Sequence, residues 1–284
     1  MSLKSSLKFP HRTFRRLLWA LGVLPCVALA QFTDTFDTID PAWTTDRYAP
    51  AAFQSASFLG DNRLQITIDQ TGSALNRPSP TYSASFFNTQ GDQRPVGIIG
   101  DWSFSANLYV SSAFDTITGQ LVRSDLWVQT GTASSEGDYA IMGFSNASPT
   151  HPLNAAAPDR APRFQVFDGT NADPAGWFDA GLPTGFAFDA WHTLGITFTG
   201  TNTEYLLDGT IIFTDPSTDG NDLQTAFIEA YNFGQTDSNG LNNYSVYWDN
   251  ATAVAIPEPA NFALMAGLAT LGLVWRRRAQ LKAP

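Results

Sequence analysis

Trp102, Phe104, Ala106, Leu108 and Val110 take every second position of one short stretch, and Leu64, Ile66 and Ile68 do the same earlier in the chain. A period of two places those side chains on one face of an extended strand and their polar neighbours on the other, which a helix with 3.6 residues per turn cannot do. The same texture marks candidate strands at 33–37, 83–87, 125–129, 139–144, 164–167, 191–199, 203–207, 210–213, 225–231 and 244–254. Clusters of Gly, Pro, Asn, Asp and Ser separate them. No long amphipathic helical pattern interrupts the region 31–255. About a dozen strands are more than one open sheet holds without curling or splitting, so the pattern predicts an all-β fold of two antiparallel sheets stacked face to face.

Both ends of the chain differ from this body. Lys4, Lys8, Arg12, Arg15 and Arg16 precede an apolar run from Leu17 to Leu29, and Ala28-Leu29-Ala30 supplies small residues for cleavage before Gln31. Residues 1–30 therefore read as a secretory signal peptide, cut by a signal peptidase. Cys26, the one cysteine, lies inside it behind Pro25, a poor setting for lipidation. Residues 31–255 then lack any disulfide, reactive thiol or cysteine metal site. At the other end Pro257, Glu258 and Pro259 are followed by an apolar run from Ala260 to Trp275 and by Arg276, Arg277 and Arg278. Guanidinium groups resist dehydration and stop such a segment at the cytoplasmic side of a membrane. The run has 16 residues, short for a permanent anchor.

This order of Pro-Glu-Pro, short apolar helix and arginine cluster resembles the PEP-CTERM sorting signal of Gram-negative bacteria. The resemblance implies that residues 256–284 form a single transmembrane helix, that an exosortase-type membrane protease recognises it, and that the protein reaches the cell surface, outer membrane or extracellular matrix. A plain tail anchor would have similar length and flanks.

The body between these segments carries seven arginines and no lysine against 25 carboxylates, a net of −18. Nucleic acid and anionic membrane surfaces are poor partners for it, whereas neutral polysaccharide or cations are acceptable. Solubility alone also explains such acidity. Within it, Trp191 to Phe198 and Thr203 to Phe213 read as three successive strands, with Asn202 in the first turn and Asp208-Gly209 in the second. This Trp-His and Tyr-Leu-Leu-Asp-Gly block, with an opening strand at Phe32–Asp37 and a closing strand at Val246–Asn250, resembles the concanavalin A-like lectin/glucanase superfamily, laminin G-like modules included. The resemblance implies a jelly-roll sandwich over 31–255 whose first and last strands lie together.

Fold does not determine chemistry, so candidate sites rest on particular residues. Glycoside hydrolysis needs two carboxyl groups about 5 to 9.5 Å apart. Glu136, Glu204 and Glu229 are the only glutamates between the two terminal segments, and the Glu-x-Asp-x-x-Glu run of the superfamily's bacterial glucanases does not occur. Glu229 is the candidate acid, alternating with Phe227 and Tyr231; a partner would come from Asp125 or Glu136. A lone strand carboxylate is more often simply hydrogen-bonded.

Sugar binding asks less: an aromatic face and a few polar groups. Alternation puts Trp127 beside Asp125 and Gln129, opposite Leu126 and Val128; Tyr231 stands near Glu229, and Trp177 falls in a loop at 171–177. Trp102, Trp191 and Trp248 read as packing residues. Asp215, Asp219, Asp222, Asp237 and Asn239 could supply oxygen ligands to a structural calcium, although Asp, Asn and Gly also make ordinary turns. No cofactor is required, and no Gly-x-Ser-x-Gly elbow or phosphate loop occurs. The expectation is an exported protein that binds carbohydrate, or forms part of an exopolysaccharide layer, without catalysis; the alternative is a glycoside hydrolase or polysaccharide lyase.

Overall fold

The computed structural model describes residues 30–69, 88–115, 120–131, 139–149, 157–168, 176–216, 220–233 and 243–257, with a few helical positions at 267, 270–274 and 277–278. Among them fifteen strands follow in order: β1 (Ala30–Asp34), β2 (Thr44–Thr45), β3 (Ala52–Phe58), β4 (Asp61–Ile68), β5 (Thr89–Ile98), β6 (Trp102–Val110), β7 (Arg123–Gln129), β8 (Tyr139–Ser145), β9 (Arg163–Asp168), β10 (Gly176–Gly181), β11 (Ala190–Phe198), β12 (Thr203–Leu207), β13 (Thr210–Asp215), β14 (Leu223–Tyr231) and β15 (Tyr244–Ala255). One sheet runs β13-β12-β11-β6-β15-β4-β3, with β1 added beside β15; the second runs β10-β9-β8-β7-β14-β5-β2. Every pairing is antiparallel, so the fold is the two-layer sandwich expected from the alternating pattern.

The core lies where the inner faces meet. Leu64, Ile66 and Ile68 of β4 and Trp102, Phe104, Ala106, Leu108 and Val110 of β6 are all buried, as period two requires. From the second sheet Leu126, Val128, Met142, Phe144, Phe164, Val166 and Ile228 face them. Hydrogen bonds from β15 cross this core. Trp248 Nε1 donates to Ser124 Oγ at 2.9 Å, and the Tyr244 hydroxyl sits 2.8 Å from the Arg123 carbonyl and 2.6 Å from that of Tyr231. Together they tie the closing strand β15 to β7, through the Ser124 hydroxyl and the Arg123 carbonyl, and to the backbone of β14.

The first and last strands pair, Phe32 with Ala253 and Asp34 with Ala251. The hairpin between β12 and β13 turns at Asp208 and Gly209, with φ of 51° and 77°, the left-handed pair of a tight turn. Three strands escape the alternation rule. β3 is nearly all half-exposed, β2 is two residues long, and β5 reads Thr-Gln-Gly-Asp-Gln-Arg-Pro-Val-Gly-Ile, without a regular apolar stripe. Trp177 corrects the loop expectation: it is the second residue of β10, paired with Phe167 of β9. Polar and glycine residues just before Trp177 hid that edge strand from a reading based on composition. The candidate strand at 83–87 and almost all of the two terminal segments lie outside the described residues. Among the described residues no helix is long and apolar enough to cross a membrane.

Candidate functional site on the outer face of the second sheet

Strand register arranges the outer face of the second sheet in rungs. One rung is aromatic: Phe227 of β14 stands opposite Trp127 of β7, then Ile141 of β8, Phe167 of β9 and Trp177 of β10. Trp127, Ile141 and Phe227 form a small apolar cluster of their own, separate from the main core. The next rung is polar: Gly91 of β5, Glu229 of β14, Asp125 of β7, Gly143 of β8, Gln165 of β9 and Asp179 of β10. Beyond it Arg123, Ser145 and Arg163 stand side by side on β7, β8 and β9.

Glu229, the candidate acid, and Asp125, one of the two candidate partners, are thus directly opposite each other on neighbouring strands. Such cross-strand pairs hold their Cβ atoms about 4.5 to 5.5 Å apart. The glycines flanking the pair are required by crowding. A Cβ on Gly143 would lie 2.2 Å from Asp125 Oδ1 and 2.3 Å from the Ser124 carbonyl, and one on Gly91 would lie 2.1 Å from the Ile228 carbonyl. Each carboxylate therefore lies against bare backbone on its outer side.

Both side chains are fully buried. Burial pushes the Glu229 carboxyl well above its ordinary range, and the carboxyl of Asp46 beside it adds repulsion. Arg47 pulls the other way: its guanidinium lies 3.9 Å from Glu229 Oε1, 2.7 Å from Asp46 and 5.2 Å from the centre of the Trp127 ring. It also donates to Thr89 Oγ1 at 2.7 Å, so the Asp46-Arg47 pair after β2 is fastened down over Glu229. Burial also raises Asp125, opposed by Arg123, whose Nε donates to Oδ2 at 2.7 Å. Asp92 is pushed up to about 6 by burial.

The remaining expected residues are placed as follows. Trp127 is 1% exposed and Tyr231 is 1% exposed, so each is walled in by its neighbours. Trp177 is 40% exposed. It stands at the rim of a cleft of about 180 Å³ lined by Arg123, Arg163, Gln165, Ser145, Ser148 and Asp179. Arg123 and Arg163, the charged walls of this cleft, were not singled out from the sequence. They hint at themselves only as two of the body's seven arginines, both at strand starts in an acidic chain.

Asp215 is buried at the end of β13, and Asp222 Oδ1 accepts from the Gly100 amide at 3.0 Å. Asp219, Asp237, Asn239 and Glu136 lie outside the described residues. Among the described residues no three His, Cys, Asp or Glu side chains gather as a metal site would need.

No protein-family model and no curated protein sequence matches this chain. Solved structures do. The GH16 protein of a Bacteroides ovatus mixed linkage glucan PUL, in complex with a G4G4G3G product, superposes with a TM-score of 0.50 at 13% identity over 80% of this chain and 99% of that one. A Bacillus licheniformis β-glucanase gives 0.47 at 13% identity, over 79% and 97% of the two chains. The carbohydrate-binding module CBM66 of Bacillus subtilis gives 0.40 at 10% identity, over 75% and 96%. The likeness is one of fold alone: an antiparallel two-sheet sandwich of jelly-roll type.

Proposed function

We propose that this protein binds carbohydrate on the outer face of its second sheet, at the cleft beside Trp177, as an exported component of a bacterial surface or matrix layer. The observation that carries this reading is the cleft itself: a partly exposed indole next to Arg123, Arg163, Gln165, Ser145 and Ser148. A sugar ring offers an apolar face to an aromatic side chain and hydroxyls to such donors and acceptors. The fold neighbours include glucan-bound and carbohydrate-binding proteins, which is compatible with this use of the sheet. The terminal segments supply the address: a signal peptidase would remove residues 1–30, and an exosortase-type protease would act on the Pro257-Glu258-Pro259 tail.

A second reading, glycoside hydrolysis, is favoured by the direct opposition of Glu229 and Asp125. Glu229, whose burial favours the protonated form, suits a general acid, and Asp125, raised by burial but opposed by Arg123, would serve as nucleophile or base when ionised. It ranks second because both groups are fully buried, Glu229 beneath Asp46 and Arg47, so a glycosidic oxygen reaches neither without displacement of that cover. One experiment separates the two: the full-length chain is incubated with a panel of bacterial exopolysaccharides, and pelleted protein and new reducing ends are measured in the same tubes. Co-sedimentation without new ends, reduced about tenfold by Trp177→Ala, is the expected result, a stacked ring contributing about 1 kcal/mol or more. New ends abolished by Glu229→Gln would transfer the assignment to the hydrolase.

A further inference from the structure

The two arginines of the cleft bear on which sugar it takes. Arg123 is 7% exposed and Arg163 is 4% exposed, and they occupy facing positions on either side of Ser145. The Nε of Arg123 is engaged by Asp125, while its guanidinium lies 4.2 Å from the centre of the Trp177 ring and 4.9 Å from that of Tyr231. That leaves Nη1 and Nη2, the two-pronged end of the fork, with no hydrogen bond to any described residue. Arg163 donates Nη1 to the carbonyls of Ala147 and Ala161, and its Nη2 reaches Gln165 Oε1 at 3.4 Å. The Nε2 of Gln165 is buried in the same wall, without a hydrogen bond of normal geometry though its side chain acts on the Asp125 carboxylate. Guanidinium donors left over at the cleft, beside a buried amide donor, are available to a group that is not part of the chain.

We infer that the cleft is a subsite for an acidic sugar, with the carboxylate of a uronic acid accepted by the Arg123 fork and supported by Arg163 and Gln165 while the ring lies against Trp177. A planar carboxylate matches a guanidinium fork in two parallel hydrogen bonds. Three carboxylates of the protein act on the arginines. Asp125 is spent on Arg123 Nε, Asp179 lies 3.8 Å from Arg163 Nε with its Oδ1 accepting from the Gly181 amide, and Asp159 also attracts the Arg163 guanidinium. The pocket therefore carries no excess of positive charge. It selects by directed donors, consistent with a protein whose strongly acidic body would otherwise repel an anionic polymer. The guanidinium of Arg163 is depressed by burial and also by the neighbouring Arg123, a repulsion that a bound anion would relieve. A volume of about 180 Å³ suits one sugar ring, so the acidic residue is read singly.

This inference rests on the carbohydrate-binding reading, and its test separates the two. Calorimetry on the full-length chain compares a glucuronate-containing oligosaccharide, the same oligosaccharide after its carboxyl groups are reduced to alcohols, and the reduced form carrying sulfate esters. At least tenfold tighter binding of the carboxylate form is expected, lost in Arg123→Gln and only partly kept in Arg123→Lys, which retains the charge but not the fork. Equal binding of the first two ligands would overturn the inference and leave sugar binding intact. Preference for the sulfated form would reassign the subsite to sulfate esters, and no binding to any of the three would remove both readings. The ligand arms need no variant, so instability of an arginine substitution cannot blur the outcome.

Discussion

At the scale of single residues, Glu229 ties protonation to stability most directly. Its folded-state pKa is raised, so in the native protein it keeps a proton that the unfolded chain gives up above about pH 4.3. The native state then binds more protons than the unfolded one, and stability falls as pH climbs from there toward the folded pKa. Asp92, raised from 3.8 to about 6, adds a loss in the same direction between those two values. Glu229→Gln keeps the shape of the neutral acid and cannot ionise. Urea unfolding is expected to show a gain in stability for the variant at pH 8 that shrinks toward zero at pH 4. A gain independent of pH would mean that Glu229 is charged in the folded protein.

At the scale of elements, the spacing of β7, β8, β14 and β5 depends on two glycines rather than on side-chain packing. Gly143→Ala places a methyl within 2.3 Å of the Ser124 carbonyl and must push β7 and β8 apart. A cost of about 1 to 3 kcal/mol or more is expected, the range for an overpacked interior. Gly195 in β11 is the internal control, since its added methyl meets nothing nearer than Leu206 Cβ and Ser105 Cβ at 3.8 Å. Gly195→Ala should be neutral or stabilising by about 0.4 to 1 kcal/mol through reduced freedom of the unfolded chain. Thermal melts of the two variants beside the parent check both, and similar melts for both would show that the strands do not lie this close.

At the scale of the whole molecule, the second sheet is held in place by a strand of the first. Tyr244 on β15 reaches through the core to the carbonyls of Arg123 and Tyr231, residues at the ends of the two strands that carry Asp125 and Glu229. Tyr244→Phe removes that hydroxyl and leaves buried carbonyl oxygens without it, at a cost of about 1 to 3 kcal/mol. Because Arg123 forms the cleft wall, the variant should also weaken sugar binding more than Gly195→Ala does, although position 244 is not among the cleft-lining residues. Denaturant unfolding paired with calorimetry tests the coupling; a loss of stability with unchanged binding would confine Tyr244 to the core.

The sequence alone determined the sandwich, because period two in β4, β6 and β15 leaves those strands one way to hide their apolar side chains from water. It also put Trp127 and Asp125 on the side of their strand opposite the core and Glu229 with Phe227 and Tyr231 on one side of theirs, since that too is local alternation, although Tyr231 joins the main core. Strands β2, β3, β5 and β10 were not legible: at the edge or near it, a strand is held by backbone hydrogen bonds to its neighbour and needs no apolar stripe. Apart from the hairpins at Asn202 and Asp208-Gly209 and the expected pairing of first and last strands, which strands lie side by side was undecided, for pairing is set by long-range contacts that no local pattern encodes. Only the tertiary structure set Glu229 against Asp125 and drew Arg123 and Arg163 together around Ser145, residues up to 104 positions apart in the chain, the separation between Asp125 and Glu229. It also closed Asp46 and Arg47 over the first pair and left the second facing a cleft, because the register of β14, β7, β8 and β9 stacks their outward residues into common rungs.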